Sequence, residues 1–308
     1  MRLLRFGFRV LQAGSPAAAA ALAERLFFTP PRARLTPAMR AELERARPFT
    51  IVVEGHRVAG WSWGDGPVVY LVHGWGSRGG RLAAYVPPLV AAGFQVVAYD
   101  GIGHGASEGR LSSIPQLART LRAMTAAVGP ARGVVAHSLG ASAATLAMEW
   151  GMPVARTVFV APAADPVGYT LRWAELLGVR PDVLARLRAA SERRLAFSWA
   201  VLDVPAMARR RSTPLLVIHD ADDPVVPWSE GAAIAAAWPG SRLVTTNGCG
   251  HSEVARAPAV VAQGVEFLVG GATASAWKTA LASQEGHRLE HELFYRERRL
   301  LRPVVPAV

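Results

Sequence analysis

The apolar positions of the chain change their period near residue 49. Before it, residues 17–28 and 37–46 carry small and apolar side chains at helical spacing, and Pro30-Pro31 separates the two runs. After it, runs over 49–54 and 57–63 around Gly55 predict two strands. Asp65-Gly66-Pro67 then turns the chain into Val68-Val-Tyr-Leu-Val72, an apolar run of the kind that fills the centre of a sheet. From there strands and helices alternate. Strands are expected over 95–99, 133–136, 157–160, 215–219 and 242–245. Helices are expected over 81–92, 114–128, from Leu139 onward, and over 229–238 and 258–269. That alternation predicts a doubly wound, mostly parallel sheet with its site at the carboxyl ends of the strands.

Three stretches stand outside the alternation. Residues 162–213 interrupt it with short helices expected over 167–177, 183–194 and 197–207. Residues 1–11 place Arg2, Arg5 and Arg9 among Leu3, Leu4, Phe6, Phe8 and Val10. Arg9 and Gln12 break the apolar core that a signal peptide needs. This leader is therefore read as amphipathic and packed on the domain, with weak contact to a membrane surface as the alternative. Residues 281–301 read as a charged amphipathic helix, and docking, subunit pairing and mobility stay open for it. The divisions expected are a helical extension over 1–48, a domain over 49–271 with its insertion near 162–213, and a charged tail over 272–308.

Composition narrows the class. The chain has 308 residues, half of them apolar, which is enough for a full core. No apolar run reaches the length of a membrane span. The formal charge of +11 is almost wholly arginine, since Lys278 is the only lysine. No nucleic-acid motif accompanies it, so no nucleic-acid partner is expected, and the charge favours anionic substrates or headgroups. Cys249 stands alone, so no intramolecular disulfide forms and a cytoplasmic location is expected, with peripheral membrane association as the variant. Cys249 reads as a small filler. His287 and His291 lie one helical turn apart beside Glu290, but no third ligand is evident, and neither metal nor cofactor is expected. Composition leaves the oligomeric state open.

The chemistry sits just after strands. Ala136-His-Ser138-Leu-Gly140 joins a buried strand to a helix, and a turn that tight needs small residues two places either side of the serine. It would expose the hydroxyl at the sheet edge and aim the N–H of Leu139 at a helix start, where an oxyanion is favoured. A serine capping an ordinary helix would give the same string. Four more strings weigh against that reading. They are His73-Gly-Trp-Gly76, Asp100-Gly-Ile-Gly-His-Gly-Ala-Ser107, Asp220-Ala-Asp-Asp-Pro-Val-Val-Pro227, and Gly248-Cys-Gly-His-Ser252.

In that order and context, residues 50–270 resemble the α/β-hydrolase superfamily, in its serine-nucleophile, esterase- and lipase-like branch. The resemblance implies an α/β-hydrolase fold, an eight-stranded sheet with a helical cap supplied by 162–213. It implies Ser138 as nucleophile, His251 as base and Asp223 as orienting acid, with the N–H groups of Leu139 and Trp75 as oxyanion hole. Asp223 is chosen because it stands three residues before the Val of Val226-Pro227; Asp222 and Asp165 are the alternatives. Asp220 occupies a place usually held by glycine. His73, Asp100 and His104 are read as loop braces, His137 as a neighbour that cannot readily be the base, and His219 as a strand cap. The activity implied is hydrolysis of carboxylic esters of a small-molecule acyl substrate. A thioesterase, an acyltransferase or a C–C bond hydrolase would use the same triad, and a non-catalytic binding protein is the remaining class.

Overall fold

The structure is a computed structural model and describes residues 2–270. The tail helix expected over 281–301, with His287, Glu290 and His291, lies outside the described residues.

Three helices lead the chain: α1 (Arg2–Gly14), α2 (Pro16–Phe28) and α3 (Pro37–Glu44). The hydroxyls of Ser15 and Thr36 accept the N–H of Ala18 and Met39, and a proline fills the first turn of α2 and of α3. Next come strands β1 (Arg47–Val53), β2 (His56–Trp63) and β3 (Val68–Val72), a 3-10 turn over Gly79–Tyr85, α4 (Val86–Ala91) and β4 (Gln95–Tyr99). Then follow α5 (Ile114–Val128), β5 (Ala131–His137), α6 (Leu139–Glu149) and β6 (Val154–Val160). The insertion holds α7 (Pro166–Leu177), α8 (Pro181–Leu195), a 3-10 turn over Trp199–Val201 and α9 (Val204–Ala208). The chain returns through β7 (Leu215–Asp220), α10 (Trp228–Ala237), β8 (Arg242–Thr246), α11 (Gly250–Glu253) and α12 (Pro258–Val269).

The eight strands form one sheet in the order β1-β2-β4-β3-β5-β6-β7-β8. β1 and β2 are antiparallel to their neighbours, and every pairing from β4 to β8 is parallel. Alternate residues of the central strands feed two cores. Tyr70, Val72, Val97, Val134 and Ala136 pack with α5, α6 and α9. Val69, Leu71, Val96, Ala98 and Val135 pack on the other face with the 3-10 turn, α4 and α12. Both faces of the centre are dry, which is why its strands read as apolar runs.

Two expected helices come out differently. The helix over 81–92 is a 3-10 turn that restarts as α4 at Val86, because Pro87 and Pro88 offer no N–H to carry a ladder through. The helix over 197–207 divides for the same reason at Pro205, and Asp203 caps the short α9 through the N–H of Ala206. The leader forms α1 and packs on the insertion. The buried Gln12 side chain donates to the carbonyl of Gly178 and accepts the N–H of Arg180. Phe8 and Phe28 join Leu177, Leu187 and Leu195 in a core of their own. The sequence pattern showed that this segment would pack. It did not show that the cap would be what it packs against.

Candidate active site

Ser138 ends β5 and begins α6 in a backbone conformation, φ 55° and ψ −126°, that a non-glycine residue enters only when its surroundings enforce it. Its N–H donates to Val160 and its carbonyl accepts the N–H of Ala141, both at 3.0 Å. Two glycines make room. A Cβ on Gly140 would lie 2.6 Å from the carbonyl oxygen of His73, and one on Gly74 would lie 2.8 Å from the Cβ of Ser138. The tight turn that the sequence demands is thus a packing requirement of three converging segments.

The turn points the serine at His251. Ser138 Oγ lies 3.1 Å from His251 Nε2, and His251 Nδ1 lies 2.7 Å from Asp223 Oδ2. The other oxygen of Asp223 accepts the N–H groups of Val225 and Val226 at 2.8 and 2.9 Å, which fixes the carboxylate plane. The Asp223 side chain is fully buried and that of His251 is nearly so. Of the other acids considered, Asp222 accepts the N–H of Gly248, and Asp165 caps α7 and pairs with Arg172.

Two residues near the acid do more than the sequence analysis assigned them. Asp220 accepts the N–H groups of Asp222, Cys249 and Gly250 and the hydroxyl of Thr246. Burial raises its pKa, but those four donors outweigh burial and hold it below the usual carboxylate range. His219 lies under Asp223, its Nε2 3.0 Å from the carbonyl of Val226 and 3.4 Å from Asp223 Oδ2. Burial lowers its pKa below the usual imidazole range, and its Nε2 bonds the Val226 carbonyl. The only hint of either role was the density of polar residues from His219 to Asp223.

Three further histidines brace the site in neutral form. His73 donates through Nδ1 to the carbonyl of Gly74 and accepts the N–H of Gly101 through Nε2; burial depresses its pKa to about 4. His104 donates through Nδ1 to Ile102 and accepts the N–H of Gly76, and burial takes it to about 3. His137 donates through Nε2 to the carbonyl of His251 at 2.9 Å, its ring 4.8 Å from that of His251. Burial, then the charge of His251, lowers His137 to about 3. It supports the His251 ring from behind.

The loop that His73 and His104 brace carries Trp75, whose ring meets His104 edge-on at 5.6 Å. Trp75 and Leu139 line one cavity together with Ser138 and His251. Leu139 is the first residue of α6, so its N–H lies outside the ladder of that helix. The cavity measures about 580 Å³, and neither arginine nor carboxylate lines it among the described residues. Trp173, Leu195, Phe197 and Trp199 of the cap contribute, as do Leu26, Phe27, Phe28 and Pro31 from the start of the chain. That last contribution was missed in the sequence, where the only trace is the Leu26-Phe27-Phe28 run before Pro30-Pro31. Among the described residues no group of three or more His, Cys, Asp or Glu is placed to hold a metal ion.

Solved structures share this fold. A hydrolase from Pseudomonas aeruginosa PA01 is similar at 25% identity with a TM-score of 0.57, over 73% of this chain and 98% of its own. Est1E from Butyrivibrio proteoclasticus, solved with ferulic acid bound, is 18% identical with a TM-score of 0.57, over 72% of this chain and 96% of its own. A bromoperoxidase from Bacillus anthracis is 17% identical with a TM-score of 0.55, over 73% of this chain and all of its own. The last two likenesses are of fold alone. The model of the Alpha/beta hydrolase family matches residues 69–263, which is most of the chain and spans β3 to α12, and the chain belongs to that family.

Proposed function

We propose that the protein is a serine hydrolase that cleaves carboxylic esters with an apolar acyl group. The observation that carries the proposal is the continuous line Asp223–His251–Ser138 opening onto an apolar cavity. With Nδ1–H donated to Asp223, His251 presents the Nε2 lone pair to the serine hydroxyl. Ser138 Oγ attacks the acyl carbon as His251 takes its proton, and the imidazolium is stabilised by Asp223. The oxyanion forms beside the N–H groups of Leu139 and Trp75, where each donor contributes about 3 kcal/mol in the transition state. Collapse expels the alcohol, which receives the proton from His251 and leaves the acyl group on Ser138. A water deprotonated by His251 then releases the acid and restores the serine.

The test is turnover of p-nitrophenyl esters of graded acyl length by wild type and Ser138→Ala, with a fluorophosphonate probe in parallel. The proposal expects wild type to turn over and to label at Ser138, and the variant to do neither. No turnover and no labelling by wild type overturns it. Labelling without ester turnover redirects the reading to a thioester or C–C substrate on the same triad. Transfer to an added alcohol in preference to water identifies an acyltransferase.

A further inference from the structure

Helix α1 is apolar on two opposite faces, and folding uses only one. The inner face sets Phe8 in the cap core, with Gln12 bonded to the turn between α7 and α8. The outer face presents Leu3, Phe6 and Val10, which are 88%, 65% and 58% exposed. Steps of three and four residues keep them within about 60° of one another around the helix. Packing of α1 on the cap gives no reason for large apolar side chains there.

The neighbours of this stripe say what covers it. Arg9 lies about 60° around the helix from Phe6, whereas Arg5 lies about 20° from Gln12, toward the cap and beside Gly178. Both are exposed, and α1 carries no acidic residue. An apolar stripe bordered by Arg9, on a helix without an acidic residue, matches the boundary of an anionic bilayer, where acyl chains receive the stripe and headgroups receive the cation. α7, against which α1 packs, also exposes Leu171 and Leu176. A second copy of the chain seated on the stripe would bring Arg9 against Arg9. The segment 271–308 carries Lys278 and five arginines against four glutamates, so it too repels more than it attracts.

We propose that the outer face of α1 is a lipid-docking surface for anionic membranes. The consequence for the site is steric. Leu26, on the helix that follows α1, is both 41% exposed and part of the cavity lining, with exposed Leu22 one turn before it. Because α1 packs on α2, docking through α1 brings the part of the cavity wall that α2 supplies close to the membrane, where apolar acyl compounds concentrate. The docking surface does not depend on the ester-hydrolase reading, and its test measures no turnover.

The test is co-sedimentation of the full chain with phosphatidylcholine vesicles and with vesicles that also contain phosphatidylglycerol. Binding to the anionic vesicles is expected to be about tenfold tighter or more at low salt, with the gain shrinking at about 0.5 M salt. The double variant Leu3→Glu/Phe6→Glu is expected to lose about tenfold or more of that binding. Both sites face solvent, so the melting temperature should match wild type. If that variant melts early, Arg9→Gln takes its place and must weaken the preference for anionic vesicles. Wild type that ignores both vesicles, or variants that bind as wild type does, overturn the proposal. So does a wild-type dimer in gel filtration that Leu3→Glu/Phe6→Glu converts to monomer, because a second copy then covers the stripe.

Discussion

Asp220 accepts the backbone N–H groups of Cys249 and Gly250 at 3.0 Å each, so the loop that carries the histidine hangs on the end of the strand that leads to the acid. The register between Asp223 and His251 is therefore set by a third carboxylate that touches neither the serine nor the cavity. Asp220→Ala leaves four donors without their acceptor and frees the histidine loop. Misplacement by about 1 Å costs on the order of 100-fold in rate. The expected outcome is a fall in kcat of about 10- to 100-fold with KM little changed, and a lower melting temperature. Steady-state kinetics on one soluble ester, beside a thermal melt, decides it. Unchanged kcat would mean that the loop holds itself.

Gly140→Ala tests the packing of the turn at Ser138. The added Cβ meets the carbonyl oxygens of His73 and Val72 at 2.6 and 2.7 Å, both backbone atoms without room to yield. Overpacking of this kind costs about 1–3 kcal/mol. The loop it pushes is the one that holds Trp75. The variant is expected to fold with a lowered urea midpoint and to label with a fluorophosphonate at least tenfold more slowly than wild type. Wild-type labelling at a lowered midpoint would confine the clash to stability.

The neutral histidines make stability depend on pH in a definite direction. His73, His104 and His137 have folded-state pKa values of about 4, 3 and 3, against about 6.5 when unfolded. Between those limits the unfolded chain binds protons that the folded one refuses, so stability rises with pH across the window. It is fully present above about pH 6.5 and declines as the pH falls toward 4. At pH 5 each histidine accounts for roughly 2 kcal/mol. Urea midpoints measured from pH 7.5 to 4.5 are expected to fall steadily below pH 6.5. A flat profile over that range would mean that these rings are hydrated and titrate normally.

Much of the site was legible because its chemistry is local in sequence. Ser138 needs small neighbours within two residues, and the string Ala136 to Gly140 displays them. Asp223 and His251 each sit just past a strand whose apolar run is unmistakable. What stayed hidden depends on distant segments meeting. Asp220 reads as one more carboxylate until β7 and β8 pair and bring Thr246, Cys249 and Gly250 to it. His219 reads as a strand residue until its ring is found beneath the acid. Phe27 and Phe28 read as the end of an N-terminal helix, and nothing in their spacing shows that the helix lies across the cavity. The broken helices at Pro87-Pro88 and Pro205 are a different case. The prolines were in plain view, and helical periodicity was allowed to run through them.

The position of α2 leads to the last prediction. Phe27 lines the cavity from the N-terminal side, its ring 5.1 Å from that of Trp173 in the cap and nearly edge-on to it. The two rings close the apolar space between the extension and the cap, so they bound the length of chain it accepts. Phe27→Ala removes one wall without touching Ser138, His251 or Asp223. Each methylene that newly finds burial is worth about 0.8 kcal/mol, or about fourfold in kcat/KM. The profile across p-nitrophenyl esters is expected to move toward longer acyl chains, with kcat/KM for the acetate ester within about threefold of wild type, because a two-carbon acyl group does not reach the wall. A profile of unchanged shape would place the acyl path elsewhere, along Leu195 and Phe197 of the cap, and leave the N-terminal helices as a wall that the substrate does not meet.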